Sequence, residues 1–413
     1  MESAGGKVAQ EERDRAGKRL AVRLAVASAL AGGNAAVIFA TESVLGAAMS
    51  PNPGFATVPL SCYAVGLALG TLPIGWIARS RGRRAAFLVG AFLGVLTGLL
   101  AAAASFIWSF PLLCLSAVFG GAYAAASQSY RFAAADGASP RLQPKLIAWV
   151  MTGGVVAAVI GPQLVEHTMN IWPQHLFAAT YLAQAGVAVL AMAVLSSVKA
   201  APPAAVSAGG GRPLGEIVSR PQFIVAVICG TVSYGLMNLV MTAAPLAMKL
   251  CGLSLTQSNL GLQWHILGMY APSFFTGPLI VRFGAPRIVA LGLGLEVAAA
   301  AVDLAGLTVG HFWIGLILLG LGWNFGFIGA SAMVVASHRP EERTKVQSFN
   351  DFVIFGTIAV GSFASGQMLA QGGWSLVNLV VFPLAAIALV SLVWLALRPA
   401  QSLAEAPGGA GER

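Results

Sequence analysis

Apolar residues along this chain fall into runs of about twenty, one after another, each closed by a short polar or glycine-rich break. At about 1.5 Å per residue, such a run is as long as a helix crossing about 30 Å of hydrocarbon. Within lipid each backbone amide and carbonyl needs a partner in its own segment, so the predicted elements are helices. The runs predict helices over 21–47, 57–78, 85–105, 108–130, 144–166 and 175–197, then 221–249, 258–280, 288–308, 311–336, 347–370 and 375–397. The stretch APPAAVSAGGGRPLGEIVSR between the sixth and seventh has no apolar periodicity and reads as a linker. The expected organisation is a cytosolic tail over 1–20, a six-helix bundle over 21–197, a cytosolic linker over 198–220, a second six-helix bundle over 221–397 and a cytosolic tail over 398–413. The fold class is thus all-α, a membrane protein of twelve helices in two bundles.

Composition agrees with this pattern. Hydrophobic residues make up 57% of the chain and charged residues 9%, against about 25% charged in a soluble domain, so there are too few charges for a water-facing surface. The formal charge of +9 sits in loops rather than in one patch, which argues against a nucleic-acid partner and for contact with the lipid bilayer. With the N-terminus inside, 23 of the 24 Lys and Arg fall in cytosolic loops and tails, leaving Lys249 outside. That alternation holds only if both termini are cytosolic and the helix number is even. The polar start MESAGGKVAQEERDRAGKRLAVR has no small-residue cleavage site after it and reads as a tail, not a signal. The four cysteines, Cys62, Cys114, Cys229 and Cys251, form no CxxC or Cys/His cluster, so neither a zinc module nor a disulfide scaffold is indicated. No HExxH, Walker loop or GxSxG occurs, so the chain is not read as an enzyme, and no cofactor is expected.

Two loops repeat each other. GWIARSRGRRAAFLVG follows the second helix and GPLIVRFGAPRIVALG the eighth. Gly75, Gly82, Arg83 and Arg84 in the first, with Arg282 and Gly284 in the second, resemble the cytosolic loop motif of the major facilitator superfamily. Gly82 and Gly284 would make the tight turn, and the arginines would meet helix ends and lipid phosphates. Arg79 stands where that motif usually has an acid. The resemblance implies alternating access in a bacterial inner-membrane transporter, with a binding site near the bilayer midplane between the halves.

Candidate chemistry lies on the seventh and eighth helices. Met237 and Met241 are four residues apart, as are His265 and Met269, so each pair shares a helix face about 6 Å long. Thioethers and an imidazole suit Cu(I) and are poor ligands for Mg or Ca; as packing, methionines fill apolar gaps equally well. The blocks HILGMYAPSFFTG, GLGWNFGFIGAS and KVQSFNDFVIFG, with MNLVM, resemble the CcoA-like (CalT) copper importers of the same superfamily. That resemblance implies Met237, Met241, His265 and Met269 as metal ligands, Cys251 and Cys229 as a thiol relay, import of copper for cytochrome oxidase assembly, and periplasmic or cytosolic copper chaperones as partners. The alternative is an organic solute such as riboflavin. Trp149, Tyr234, Trp264, Tyr270, Trp323, Asn324 and Phe325 would then line a cavity for a flat ring. Of three acids inside helices, Glu42 is the expected proton-coupling site, and Glu296 and Asp303 are expected to bond neighbouring helices. Asn350 and Asp351 are expected to be structural or gate-forming.

Overall fold

The computed structural model of the chain describes residues 4–135, 146, 149–198, 212–339 and 342–398. The described residues are helical, with no strand among them. The helices are α1 (Ala4–Met49), α2 (Val58–Arg81), α3 (Arg83–Ile107), α4 (Phe110–Gln128), α5 (Tyr130–Ala135), α6 (Gly153–Thr168), α7 (Ala178–Ser196), α8 (Leu214–Val218), α9 (Pro221–Leu250), α10 (Leu255–Tyr270), α11 (Ser273–Phe283), α12 (Ala285–Ala305), α13 (Val309–Ala336), α14 (Arg343–Leu379) and α15 (Val381–Ala396). Among the described residues, ten segments are long and apolar enough to cross a membrane, or eleven when α10 and α11 are taken as one bent span. Arg141, Lys145, Lys199, most of the expected linker and the C-terminal tail from residue 399 lie outside the described residues.

Two elements differ from the sequence pattern, each for a local reason. The expected tail is helical from Ala4, with Gln10 donating to Asp14 one turn on at 3.0 Å. The eighth apolar run is two helices bent by 41° around Ala271 and Pro272; proline has no N–H to continue the ladder. Phe349–Ala396 is one apolar stretch that turns at Gly373, inside the break expected between residues 370 and 375; its φ of 66° favours glycine. Elsewhere local signals set the ends. Ser254 accepts from the Gln257 amide while the Gln257 side chain accepts from the Ser254 amide, a capping box that starts α10.

The repeat is visible in backbone geometry. Gly82 joins α2 to α3 at φ 87°, ψ 159°, and Gly284 joins α11 to α12 at φ 84°, ψ 144°. Two corresponding loops thus make the same left-handed turn, as the paired glycines predict. Arg84 is exposed beside the first, and the Arg282 guanidinium lies 5.2 Å from the centre of the Phe283 ring beside the second. The end of the bundle that carries these loops is here its inner end.

At the opposite, outer end, hydrogen bonds join the two halves. Thr57 donates to the Ser362 carbonyl at 2.8 Å, and Gln367 donates to the Gly54 carbonyl at 3.0 Å. Gln163 donates to Gln263 Oε1 at 3.0 Å, and Thr256 donates to Glu166 Oε1 at 2.7 Å. Near the inner end, Arg212, in the described part of the expected linker, grips the Glu342 carboxylate through its backbone amide, Nε and Nη2 at 2.7 to 2.9 Å. The Arg212 guanidinium holds the Glu342 carboxyl well below the usual carboxylate range.

Candidate functional site

A cavity with about 1240 Å³ of space, its open mouth included, lies between the halves. Its wall is built from α1, α2, α4 and the start of the α6 span on one side, and from α9, α10 and α14 on the other. The contributing stretches of α1, α4 and α6 are their inner portions, so the cavity faces the inner end while the outer end is closed.

The wall is mostly apolar, with aromatic rings at fixed angles. Tyr63 meets Phe39 edge to face at 5.4 Å, and both line the space. Tyr234 and Tyr270 line it opposite, braced from behind by Trp323 at 5.4 and 6.1 Å. Trp323 is in turn stacked on Phe327 at 5.3 Å with 14° between planes. Such a buttress fixes ring orientation before anything binds. A few polar groups enter this surface: Ser28, Ser127, Gln128 and Asn238. Asn238 is placed on α9 with its amide nitrogen donating to Ser362 Oγ at 2.6 Å and to the Ile358 carbonyl at 3.5 Å. Both N–H groups are thereby committed, and Oδ1 remains to accept from a ligand.

Of the expected metal ligands, Met237, Met241 and Met269 reach the cavity wall. His265 is fully buried outside that lining, turned toward α13. Its Nδ1 is 2.8 Å from the Leu316 carbonyl, which can only accept, so Nδ1 carries the proton in this bond. Cys229 and Cys251 sit at opposite ends of α9, about 33 Å apart by helical rise, and are not brought together. Cys229 packs on α15, with Ser391 Oγ at 3.9 Å.

The aromatic candidates separate likewise. Tyr234 and Tyr270 face the cavity, Trp323 stands behind them, Trp149 and Trp264 are exposed on the outside of the bundle, and Phe325 packs against Phe275 at 6.3 Å. Asn324 does structural work at the break between α10 and α11. Its amide donates to the Met269 carbonyl and to Ser273 Oγ at 2.6 and 2.8 Å, and its Oδ1 accepts from Thr276 at 2.5 Å. The Met269 carbonyl, left without a helical partner where α10 ends, is satisfied this way.

Glu42 is fully buried, and neither carboxyl oxygen has a hydrogen-bond partner among the described residues. Ser233 donates to Glu296 at 2.7 Å, so this acid does bond a neighbouring helix, whereas Asp303 is buried with no partner among the described residues. Asn350 donates to Asp351 at 3.1 Å near the start of α14. Sequence reasoning passes over Phe39, Tyr63 and Asn238. The signal for Asn238 is a lone amide in an apolar run, inside the MNLVM string otherwise read for its methionines.

The family model for the Major Facilitator Superfamily matches residues 24–266 and 226–413. The riboflavin transporter RfnT of Brucella anthropi is 47% identical over 95% of this chain and 99% of its own length. The uncharacterized MFS-type transporter YddS of Bacillus subtilis is 26% identical over 82% of each chain. Among solved structures, a crystal structure of a variant of nucleoside transporter NupG superposes with a TM-score of 0.72 at 12% identity, covering 91% of this chain and 99% of that one, a likeness of fold alone. These findings correct the expectation of copper as cargo and of copper chaperones as partners, since a relative named for riboflavin matches nearly the whole chain. Within the blocks that carried the copper resemblance, His265 ties α10 to α13 and Asn324 holds the break after Tyr270.

Proposed function

The chain belongs to the major facilitator superfamily, and we propose that this multi-pass transporter carries a flat organic solute of the flavin class through the cavity between its halves. The observation that carries the reading is the cavity itself, walled by braced aromatic rings and supplied with an acceptor at Asn238. A fused ring system would lie against Tyr63, Tyr234 and Tyr270, and an imide-type N–H would donate to Asn238 Oδ1. The name of the 47% identical relative supports riboflavin as the first solute to try. Bacterial transporter relatives fit a place in the inner membrane.

We count twelve spans. The bent pair α10 and α11 is one, and the 48-residue run Phe349–Ala396, about 72 Å long as a straight helix, is two spans meeting at Gly373. The two six-helix halves then rock about the cavity to alternate access. Met237, Met241 and Met269 serve as adaptable apolar wall. Glu42 is the proton-coupling site in this reading, supported by its complete burial on a cavity helix and its unpartnered oxygens.

The test is uptake of labelled riboflavin into proteoliposomes containing the purified protein, with protein-free liposomes as control. Saturable uptake that unlabelled riboflavin suppresses is expected, and in Glu42→Gln it no longer responds to an imposed pH gradient. Uptake equal to the control would sink the flavin assignment.

A further inference from the structure

We propose that Cys62 and Cys114 form a redox pair that closes to a disulfide, stapling α2 to α4 at the outer end of the first half. The argument begins with the register of these two helices. A Cβ added to Gly66 would stand 2.1 Å from the Val118 carbonyl oxygen and 2.8 Å from Val118 Cα, and one added to Gly70 would stand 2.8 Å from Ala122 Cα. A Cβ on Gly121 would meet the Tyr63 oxygen at 2.0 Å. The two backbones are thus in direct contact, and residues at a constant separation in sequence face each other on successive turns. One turn further toward the outer end, the same separation sets Cys62 opposite Cys114. Both side chains are half-buried.

A disulfide needs Cα atoms about 4.4–6.8 Å apart, a condition that helices in backbone contact one turn away can meet. Neither of the other cysteines has such a neighbour, since Cys229 and Cys251 occupy opposite ends of α9. Location matters as well. Cys62 lies near the start of α2, whose far end carries the arginine-rich loop 79–84, and Cys114 lies near the start of the parallel α4. Arginines mark the cytosolic side, so the pair faces the extracytoplasmic space, where disulfides form and persist.

The chemistry is thiol–disulfide exchange. One thiol loses its proton and attacks a disulfide oxidant of that compartment, forming a mixed disulfide and releasing one oxidant sulfur as a thiol; the second cysteine then displaces the other. The pair gives up two electrons and two protons, and the oxidant leaves as two thiols. Both helices belong to the first half, so the bond does not cross the interface between halves.

The experiment treats the folded, purified protein with diamide, removes the oxidant, denatures and counts thiols with a polyethylene-glycol maleimide, followed by peptide mapping without reduction. Four labelled thiols are expected after prior reduction and two after oxidation, with the Cys62 and Cys114 peptides joined. Cys62→Ser should give three in both conditions, while Cys229→Ser should fall from three to one. Four thiols after oxidation of the parent protein, or a bond joining any other pair, would overturn the assignment.

Discussion

The four hydrogen bonds between the halves at the outer end make the closed side of the cavity a measurable quantity. Thr57 to Ser362, Gln367 to Gly54, Gln163 to Gln263 and Thr256 to Glu166 all cross between halves, and all lie outward of the cavity. Each contributes about 1 kcal/mol net, because water replaces the partner when the interface opens. The variant Thr57→Val, Gln163→Leu, Thr256→Val, Gln367→Leu removes the four donors while keeping side-chain volume close. Losing about 3 to 4 kcal/mol shifts the ratio of inward-facing to outward-facing protein by roughly a hundred- to a thousand-fold. Spin labels at Ile171 and Leu307, both exposed in outer loops of different halves, would report the change by double electron–electron resonance in a background free of native cysteines. The expected result is a distance distribution moved to a longer separation in the quadruple variant, with single variants intermediate. A distribution unchanged from the parent would refute the reasoning, since it would mean that these bonds do not hold the outer end shut.

Other consequences follow from the same geometry. Asn238→Leu removes the acceptor from the cavity and should weaken riboflavin binding about 10- to 100-fold, the cost of leaving a ligand donor unpaired, as read by quenching of flavin fluorescence. Replacing Met237, Met241 and Met269 together by Leu conserves volume and should cost less than about 1.5 kcal/mol of stability while leaving riboflavin uptake near that of the parent; complete loss of uptake in properly inserted protein would contradict a wall role. Glu342→Gln breaks the grip of Arg212 and should lower the melting temperature at pH 7. Because the folded-state pKa of Glu342 is depressed, its contribution is fully present above the ordinary carboxylate value near 4.3 and fades as pH falls below it toward the folded-state value. A gap between parent and variant that grew on acidification would refute that sign.

Much of the fold is legible in the apolar runs because lipid leaves the backbone a single solution, and run length then fixes the span. The paired loops are legible too: Gly82 and Gly284 take nearly the same positive φ, a conformation that side chains other than glycine rarely adopt. What the runs hide are breaks that cost nothing in hydrophobicity. Composition passes through Ala271 and Pro272 without a charged residue, yet the helix turns there. At that break Asn324, 53 positions after Ala271 in sequence, donates to the Met269 carbonyl. A one-dimensional pattern holds no record of that contact.

The site was harder to read for a related reason. A spacing of four places two side chains on one face of a helix, but it does not say what that face meets. On α10 the shared face of His265 and Met269 straddles a boundary. Met269 turns to the cavity, while His265 turns to α13, where Leu316 takes its proton donor. Two methionine-bearing turns and one histidine therefore look like a soft-metal cradle in sequence and form two different surfaces in space. The tyrosines show the converse. Tyr63 is 171 residues from Tyr234 in the chain, and only the apposition of α2 and α9 across the cavity makes them one wall. For a carrier built from two halves, substrate contacts are by construction distributed over both, so a motif confined to one hairpin reports how that hairpin is held together before it reports what is carried. The specificity of this protein is then to be sought in residues such as Asn238 and Tyr63, which no local motif groups together and which share only the space between the halves.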